Sequence, residues 1–191
     1  MKVTVARGGW LAGNQDPIMS KEVLEQELVK QGQTENLQLF LSLGEILRQQ
    51  IPANFLTAVS SERLVNDLCL AGQFLLNRGA DVKVEICPLN EAGHYFLFAN
   101  APDANHIFST IQEYLHRRSL HFRVICHPIL STKRTNGQLE KVTDSLDGYE
   151  RESFVWLELE QFPKRLIDEF TSGIKRIILA ALIVSRARMK T

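Results

Sequence analysis

The sequence lacks an excess of charge of either sign. Its 191 residues include 22 lysines and arginines and 22 aspartates and glutamates, so the formal net charge is zero. A chain without net positive charge has no global field that would attract phosphate backbones or anionic lipids. Binding to nucleic acid or to a membrane surface is therefore not expected.

Cysteine is also scarce, and its placement argues against a disulfide scaffold. Cys69, Cys87 and Cys126 are far apart, and each lies in an apolar segment rather than in a Cys-x-x-Cys pair. We expect all three to be reduced core residues. The first residues show no charged start followed by a long apolar stretch, so we expect a cytoplasmic protein without a secretion signal.

Long apolar runs and phosphate-binding glycine patterns are missing as well. The longest apolar run, residues 177–184, is far shorter than the ~20 residues that a membrane-spanning helix needs. The 11 glycines never take the Gly-x-Gly-x-x-Gly spacing that lets backbone amides approach a dinucleotide. We therefore expect no membrane span and no cofactor in this chain.

Helical periodicity dominates the first part of the chain that has any pattern. Residues 1–19 form a glycine-containing leader with little periodicity, and residues 20–79 carry apolar side chains at helical spacing. The expected N-caps are Ser20, Thr34 and Ser60 or Ser61, and the expected stops are Gly32, Pro52 and Gly79. This segment is predicted to be a helical extension.

From residue 80 onward the period changes to two, which is typical of strands. The expected strands are 82–86, 95–99, 120–127, 139–142 and 153–160. Asp103 is expected to cap a helix after the second strand, and Pro163 to open a final helix. Asn136-Gly137 predicts a tight hairpin turn.

The order of these elements indicates the fold. From residue 80 the predicted elements follow the order strand, strand, helix, strand, strand, helix. This order is a circular permutation of the ferredoxin-like order if the strand at 82–86 takes the edge position of the fourth strand. We predict an α+β fold: a four-stranded antiparallel sheet, ferredoxin-like and permuted, over residues 80–191, with the helical extension at 20–79.

Aromatic residues would crowd one face of this sheet. Two helices can cover only one face, which leaves Phe154, Trp156 and either Tyr95 or Phe96 on the other. Bare aromatics would form an unusually large exposed patch. The amino-terminal helices are the simplest cover, and a partner domain or a symmetry mate is the alternative, with Phe154 and Trp156 as its contact candidates.

Two separated segments carry a resemblance to a known family. They are His127-Pro128-Ile129-Leu130, followed by the Asn136-Gly137 turn, and the stretch from Glu152 to Leu159. With Asn77-Arg78-Gly79 and the basic helix end before the His-Pro strand, the chain resembles, over roughly residues 40–189, the amino-terminal region of the large bacterial NAD-specific glutamate dehydrogenases. ACT-like modules precede the catalytic part in that family.

The resemblance implies a non-catalytic regulatory or scaffolding domain whose partner is the remainder of the parent enzyme. The chemistry would then lie on residues absent from this chain. The alternatives are a freestanding ACT-type module that binds an amino acid, and a protein-interaction domain.

The loop from Asn100 to Asn105 is the best ligand candidate. It lies at a strand-to-helix junction, where free amides at a helix start could hold the carboxylate of a small amino acid. Asn100, Asp103 and Asn105 are the residues expected to bind it. The alternative is a plain turn with Asp103 as the N-cap, and the loop lacks the acidic pair that the resemblance leads us to expect here.

Catalytic and metal sites are weaker interpretations. His116, His121 and His127 beside Cys126 do not follow a known zinc-ligand spacing, and strand alternation places Cys126 opposite the last two. A Cys126 nucleophile, paired with His127 or with His94, would share its face with apolar residues. Lys133, Arg134 and Lys141 near the hairpin form a basic cluster that is expected to be solvated.

Overall fold

The computed structural model describes residues 21–30, 32–79, 82–143 and 149–188, and it shows an α+β fold. In the described residues, four helices precede the first strand, so the predicted helical extension is confirmed with one helix more than the three expected. The helices are α1 (Lys21–Lys30), α2 (Leu37–Gln50), α3 (Ala53–Ala58), α4 (Ser61–Leu76), α5 (Ile107–His116) and α6 (Ile167–Arg188). The strands are β1 (Lys83–Pro88), β2 (Tyr95–Pro102), β3 (His121–Cys126), β4 (Ile129–Thr135), β5 (Gln138–Thr143) and β6 (Glu150–Glu160).

The described strands form one antiparallel sheet of six, rather than the four expected. Its spatial order is β1-β2-β6-β4-β5, and β3 also pairs with β6. The 11-residue strand β6 is long enough to pair with β4 through its first half and with β3 through its second. The strand β5 matches the strand expected at 139–142. The strand β4 was not expected; it continues the line of β3 along β6 and forms a hairpin with β5.

The break between β3 and β4 falls at His127-Pro128. Proline lacks the N–H that a ladder position needs, so the regular pairing stops there. The Pro128 carbonyl nevertheless accepts a hydrogen bond from Phe154 N–H at 3.0 Å. The hairpin that follows turns at Asn136 and Gly137, whose φ angles of 53° and 82° confirm the predicted tight turn.

Each face of the sheet is covered by a different set of helices. Leu97, Val155 and Leu157 share a core with α5 and α6. Phe154 and Trp156 lie in the other core, together with residues of α1 to α4, and both are 0% exposed. This confirms the amino-terminal helices as the cover, and it corrects the assignment of these two residues as partner contacts, because no partner can reach them.

The aromatic core on this second face is large. Phe96, and not Tyr95, faces it, and its ring meets Trp156 edge-on at 5.3 Å between centroids. Phe74 of α4 stacks on Phe98 of β2 at 5.3 Å. Edge-to-face and offset contacts of this kind add to the stabilisation that burial supplies.

Trp156 should therefore be shielded from aqueous quenchers. In a Trp10→Phe variant, Trp156 is the single tryptophan. We expect its emission to be blue-shifted and acrylamide to quench it several-fold less than it quenches free tryptophan, because the indole is fully buried. Quenching equal to that of free tryptophan would mean that the helices do not cover this face in solution.

The expected helix caps have mixed outcomes. The Ser60 hydroxyl accepts a hydrogen bond from Arg63 N–H at 3.2 Å, which confirms the cap of α4. The prediction that Thr34 caps the second helix is wrong, because α2 begins at Leu37. The residue before it, Asn36, makes no side-chain capping hydrogen bond. The Ser20 cap and the leader lie outside the described residues.

Asp103 is also not a cap. The helix α5 begins four residues later, at Ile107, after His106 with φ of 71°. Asp103 instead prolongs the strand pairing, since its N–H donates to the Arg151 carbonyl at 2.8 Å. Its carboxylate also pairs with the Arg151 guanidinium at 3.2 Å.

In the parts of the chain that the structure describes, no helix combines the length and the apolar character needed to cross a bilayer.

Candidate functional site

The predicted ligand residues do not share a cavity. Asn100 is 1% exposed, and its side-chain amide donates to the Ser153 carbonyl at 3.3 Å. A ligand cannot reach a group buried to this extent without local opening. Asp103 is half-buried in its ion pair, and Asn105 is exposed. A ligand role for Asp103 and Asn105 stays a prediction. Asn100 cannot take part in such a site, because its side chain is buried.

The segments that carry the family resemblance meet at a buried carboxylate. Glu152 is 0% exposed and faces the helices α1 to α4, on the same side of β6 as Phe154. Arg134 of β4 binds it in a bidentate manner, with Nε 2.6 Å and Nη2 3.0 Å from the two carboxylate oxygens. Arg78, two residues after α4, places Nη1 3.4 Å from Glu152 Oε1. We call these three residues the arginine–glutamate cluster.

The cluster is deeply buried as well as charged. The side chains of Arg78 and Arg134 are 7% and 5% exposed. Burial alone would raise the pKa of Glu152, but the hydrogen bonds and charge of Arg134, together with the charge of Arg78, hold that pKa below its ordinary value. Among the described residues, Glu152 is thus shared by two buried guanidinium groups.

Backbone contacts hold the same segments together. The Gly137 carbonyl accepts hydrogen bonds from Arg134 Nη1 at 2.9 Å and from Arg78 N–H at 3.3 Å. A Cβ at Gly137 would lie 3.2–3.3 Å from the backbone of Gly79. The φ of Gly137 is also in the left-handed region, which favours glycine. The turn and the end of the helical extension are therefore closely packed, and Asn77 also bridges to Gln138 of β5.

An open cavity of about 610 Å³ lies beside the cluster, and Arg78 belongs to both. Its walls come from the α4–β1 connection, from the edge strand β1 and from α6. The residues that line it are Asn77, Arg78, Gly79, Val82, Lys83, Val84, Thr171, Ser172 and Lys175.

Lys83 is the most constrained lysine of this cavity. Its ammonium donates to the Phe74 carbonyl at 2.8 Å and lies 4.7 Å from the centroid of the Phe74 ring. Lys83 also forms a distant ion pair with Glu85, at 4.0 Å. Burial lowers the pKa of Lys83, and the nearby charge of Arg134 acts in the same direction, whereas Glu85 opposes the shift.

A second cavity, of about 630 Å³, lies against α5 and α6. Its charged residues are largely paired with one another. Arg117 Nε lies 2.7 Å from a Glu113 carboxylate oxygen, and the Arg118 guanidinium lies over the Tyr114 ring at 3.7 Å. This groove therefore offers an anion fewer available cations than the cavity beside the arginine–glutamate cluster.

A second buried carboxylate lies at the other end of β6. Glu158 is 2% exposed and accepts hydrogen bonds from Arg123 and from His94 Nδ1, the latter at 3.1 Å. Burial acts to raise its pKa, but these partners and the charge of Arg63 hold the pKa below its ordinary value. Arg63 is shared, because it also lies 3.5 Å from Asp67 of α4.

Asp67 has a raised pKa of about 6, mainly because of burial, which the charge of Arg63 only partly offsets and the charge of Glu158 reinforces. A carboxyl whose folded pKa exceeds its unfolded pKa contributes stability below the unfolded value and loses it as the pH rises through the folded value. Asp67→Asn should therefore improve stability by about 1 kcal/mol more at pH 8 than at pH 5. Urea unfolding at both pH values measures this difference.

Asp168→Asn is the matched control, because Asp168 is exposed on the first turn of α6. It removes a carboxylate from the surface rather than from the core, so it should change the free energy of unfolding by no more than about 0.5 kcal/mol. An Asp67→Asn effect that is independent of pH would contradict the raised pKa.

Cys69 and Cys126 are buried core residues, as expected, whereas Cys87 is half-buried. Cys126 is 3% exposed, and burial raises the pKa of its thiol far above the ordinary value. The pKa of Cys69 rises to about 11 and that of Cys87 to about 12, in both cases chiefly through burial. His127 stacks on Phe108 at 3.9 Å. Within the described ranges, no group of three or more histidine, cysteine, aspartate or glutamate residues is arranged to hold a metal ion.

Sequence reasoning missed the arginine–glutamate cluster. Arg134 was expected to be a solvated loop charge with Lys133 and Lys141, but its side chain is only 5% exposed. The available signal was the alternation of β6, in which Glu152 and Glu158 share the inward face with the aromatics. A charged residue at an inward position of a strand predicts a buried partner of opposite charge.

No protein-family model, no curated protein and no solved structure matches this chain.

Proposed function

We propose that this chain is a non-catalytic regulatory or scaffolding domain of a large NAD-dependent glutamate dehydrogenase. It would be a cytoplasmic, ACT-like module of permuted ferredoxin-like type with a helical extension at its amino-terminal side. The remainder of the parent enzyme would be its partner. The single observation that carries the proposal is the convergence of the resemblance segments on the arginine–glutamate cluster.

These segments are widely separated in the sequence. Asn77-Arg78-Gly79 supplies one arginine, the Asn136-Gly137 turn supplies the carbonyl that both arginines contact, and the stretch beginning at Glu152 supplies the carboxylate. Pro128 of the His-Pro segment accepts the hydrogen bond from Phe154. Motifs that resembled the family by chance would not be expected to lie in contact in the fold. Their contact therefore supports the resemblance to the family.

The arrangement of the sheet gives separate support. Without the β4–β5 hairpin, the spatial order is β1-β2-β6-β3, with α5 and α6 on one face. This is the order expected when a ferredoxin-like domain begins with the strand that usually comes last. Because one fold serves many functions, the order supports the fold and the residues support the function.

The state of the thiols is consistent with a non-catalytic role in a reducing compartment. All three cysteines are free, and burial disfavours the thiolate form of each. A nucleophilic cysteine needs a lowered pKa and an accessible sulfur. Cys126, the candidate nucleophile, has neither.

The test uses the protein at its natural locus. A short epitope inserted in the exposed β1–β2 turn at Asn90–Ala92 should leave the fold intact. We expect the tagged polypeptide to be much larger than the 21.7 kDa of this chain and to co-purify with glutamate-dependent reduction of NAD. The isolated 191-residue chain should show no such activity.

Two results would overturn the proposal. A tagged product of the size of this chain, without associated activity, would favour the freestanding module instead. Reduction of NAD by the isolated chain would contradict the non-catalytic assignment.

A further inference from the structure

One arginine side chain connects the helical extension to the sheet at the far end of β6. Arg63 of α4 places Nε 3.5 Å from Asp67 Oδ2 on its own helix and Nη2 3.8 Å from Glu158 Oε1 on β6. Asp67 and Glu158 are 4% and 2% exposed. A single guanidinium is thus shared by two buried carboxylates, one from each layer. We call these three residues the Arg63 junction.

The two carboxylates of the Arg63 junction are not equally supported. Glu158 also accepts hydrogen bonds from Arg123 of β3 and from His94 of the β1–β2 turn. Asp67 Oδ2 is buried and, among the described residues, has no hydrogen bond of normal geometry, so the Arg63 guanidinium is its main counter-charge. Burial accordingly raises the pKa of Asp67 to about 6, whereas the partners of Glu158 hold its pKa below the ordinary value. Asp67 is therefore the carboxylate of the pair that takes up a proton first as the pH falls.

The other elements that pack on α4 surround the junction with a largely apolar core. They are α1, α2, β2 and β5, and the side chains that they bring to this core include Leu24, Leu28, Phe40, Leu47, Phe96 and Leu139. The half-buried Glu27 of α1 pairs with Lys30 of the same helix. On the far side of Glu158, Glu91 lies 3.4 Å from His94 Nε2. An ionised Asp67 in such surroundings depends on the guanidinium that it shares with Glu158.

We propose that Arg63 changes its partner with the protonation of Asp67, and that this exchange controls how firmly α4 is held on β6. When Asp67 is neutral, the guanidinium is released from its own helix and pairs with Glu158, which ties the two layers together. When Asp67 is ionised, the guanidinium is divided between two buried carboxylates. Because the proton binds the closed junction more tightly than an opened one, the junction is firmer below about pH 6 than above it. This switch lies within the chain and does not require the proposed parent enzyme.

An NMR titration of the full 191-residue chain between about pH 5 and pH 8 tests the exchange. The reporters are the side-chain Nε–H of Arg63 and the carboxyl carbon of Glu158. We expect both signals to shift with a common midpoint near pH 6, because both groups respond to the charge on Asp67. Neither Arg63 nor the depressed carboxyl of Glu158 should change its own protonation in this range.

Three variants identify the group that takes up the proton. Asp67→Asn keeps the size of the side chain but cannot ionise, so the Arg63 signal should stay at its acidic position throughout the titration. Asp168→Asn is the matched control, because it removes an exposed carboxylate from α6 and should leave the shift intact. His94→Gln removes the other titratable group that contacts Glu158 and should also leave the Arg63 shift and its midpoint intact.

Hydrogen exchange measures how firmly α4 is held. The amides of α5, which lies on the other face of the sheet, serve as the internal reference for the intrinsic effect of pH. The exchange of α4 relative to α5 should be about tenfold slower at pH 5 than at pH 8, and Asp67→Asn should abolish the difference. The proposal is wrong if the Arg63 signal does not shift, if its shift survives in Asp67→Asn or disappears in His94→Gln, or if α4 and α5 respond equally to pH.

Discussion

Glu152→Gln is expected to lower the free energy of unfolding by about 3–5 kcal/mol. The substitution keeps the size of the side chain but removes the charge that Arg78 and Arg134 share at distances of 2.6–3.4 Å. Both guanidinium groups would then lose the buried carboxylate that they share. Urea unfolding at pH 7, followed by circular dichroism, measures the change.

Two further variants identify the cause of this loss. Glu140→Gln removes a carboxylate that pairs with Lys133 at the surface, and it should leave the unfolding midpoint unchanged. Replacing the whole cluster by apolar residues, as in Arg78→Met, Glu152→Leu and Arg134→Met combined, should recover most of the loss. If Glu152→Gln unfolds at the wild-type midpoint, the carboxylate does not hold the two arginines in solution.

The same carboxylate predicts a dependence on pH. Because the folded pKa of Glu152 is depressed, its stabilisation is fully present above the unfolded pKa, about 4.3, and is lost as the pH falls through the folded pKa. The wild-type protein should therefore lose stability in that acidic range. Glu152→Gln should lose less, since it has no carboxylate left to protonate there.

Trp156→Ala is expected to cost about 3–5 kcal/mol, as truncations of large buried aromatics do. The indole is fully buried in the core between the sheet and the amino-terminal helices, and its ring contacts those of Phe96 and Phe98 at centroid distances of 5.3 and 5.7 Å. The substitution would leave a cavity at the centre of the core that joins the helical extension to the sheet. Thermal or urea unfolding measures the loss.

Trp156→Phe separates packing from polarity at this position. Among the described residues, the indole N–H has no hydrogen-bond partner. Phenylalanine removes this buried donor and retains most of the apolar surface, so the cost should stay below about 1.5 kcal/mol. Equal costs for the alanine and phenylalanine variants would show that the indole nitrogen, rather than the packing, stabilises this core.

Local patterns were sufficient to predict much of the fold. The alternation in β6 placed Trp156 and Phe154 on one face, and Asn136-Gly137 gave the correct turn, because both signals depend on neighbouring residues only. The antiparallel pairing of β1 with β2 followed from the short connection between them.

Features that depend on distant partners were not predicted. Asp103 looks like a helix cap in isolation, but its backbone N–H and its carboxylate both pair with Arg151, and α5 begins only at Ile107. Arg134 looks like a loop charge, and only the arrival of Glu152 from β6 explains its burial. The cavity beside the arginine–glutamate cluster likewise lies between β1 and α6, which are separated by about 80 residues in the sequence. No local sequence pattern predicts that these two elements lie close together.

The central place of β6 has a consequence for how the protein is made. The helices of the extension leave the ribosome first, yet the strand that carries Trp156 emerges only about 80 residues after α4. At the usual pace of synthesis this gap lasts roughly 4 to 16 s. During that time Phe96 and Phe98 of β2 are already present, but the aromatic face stays incomplete until translation passes Glu160.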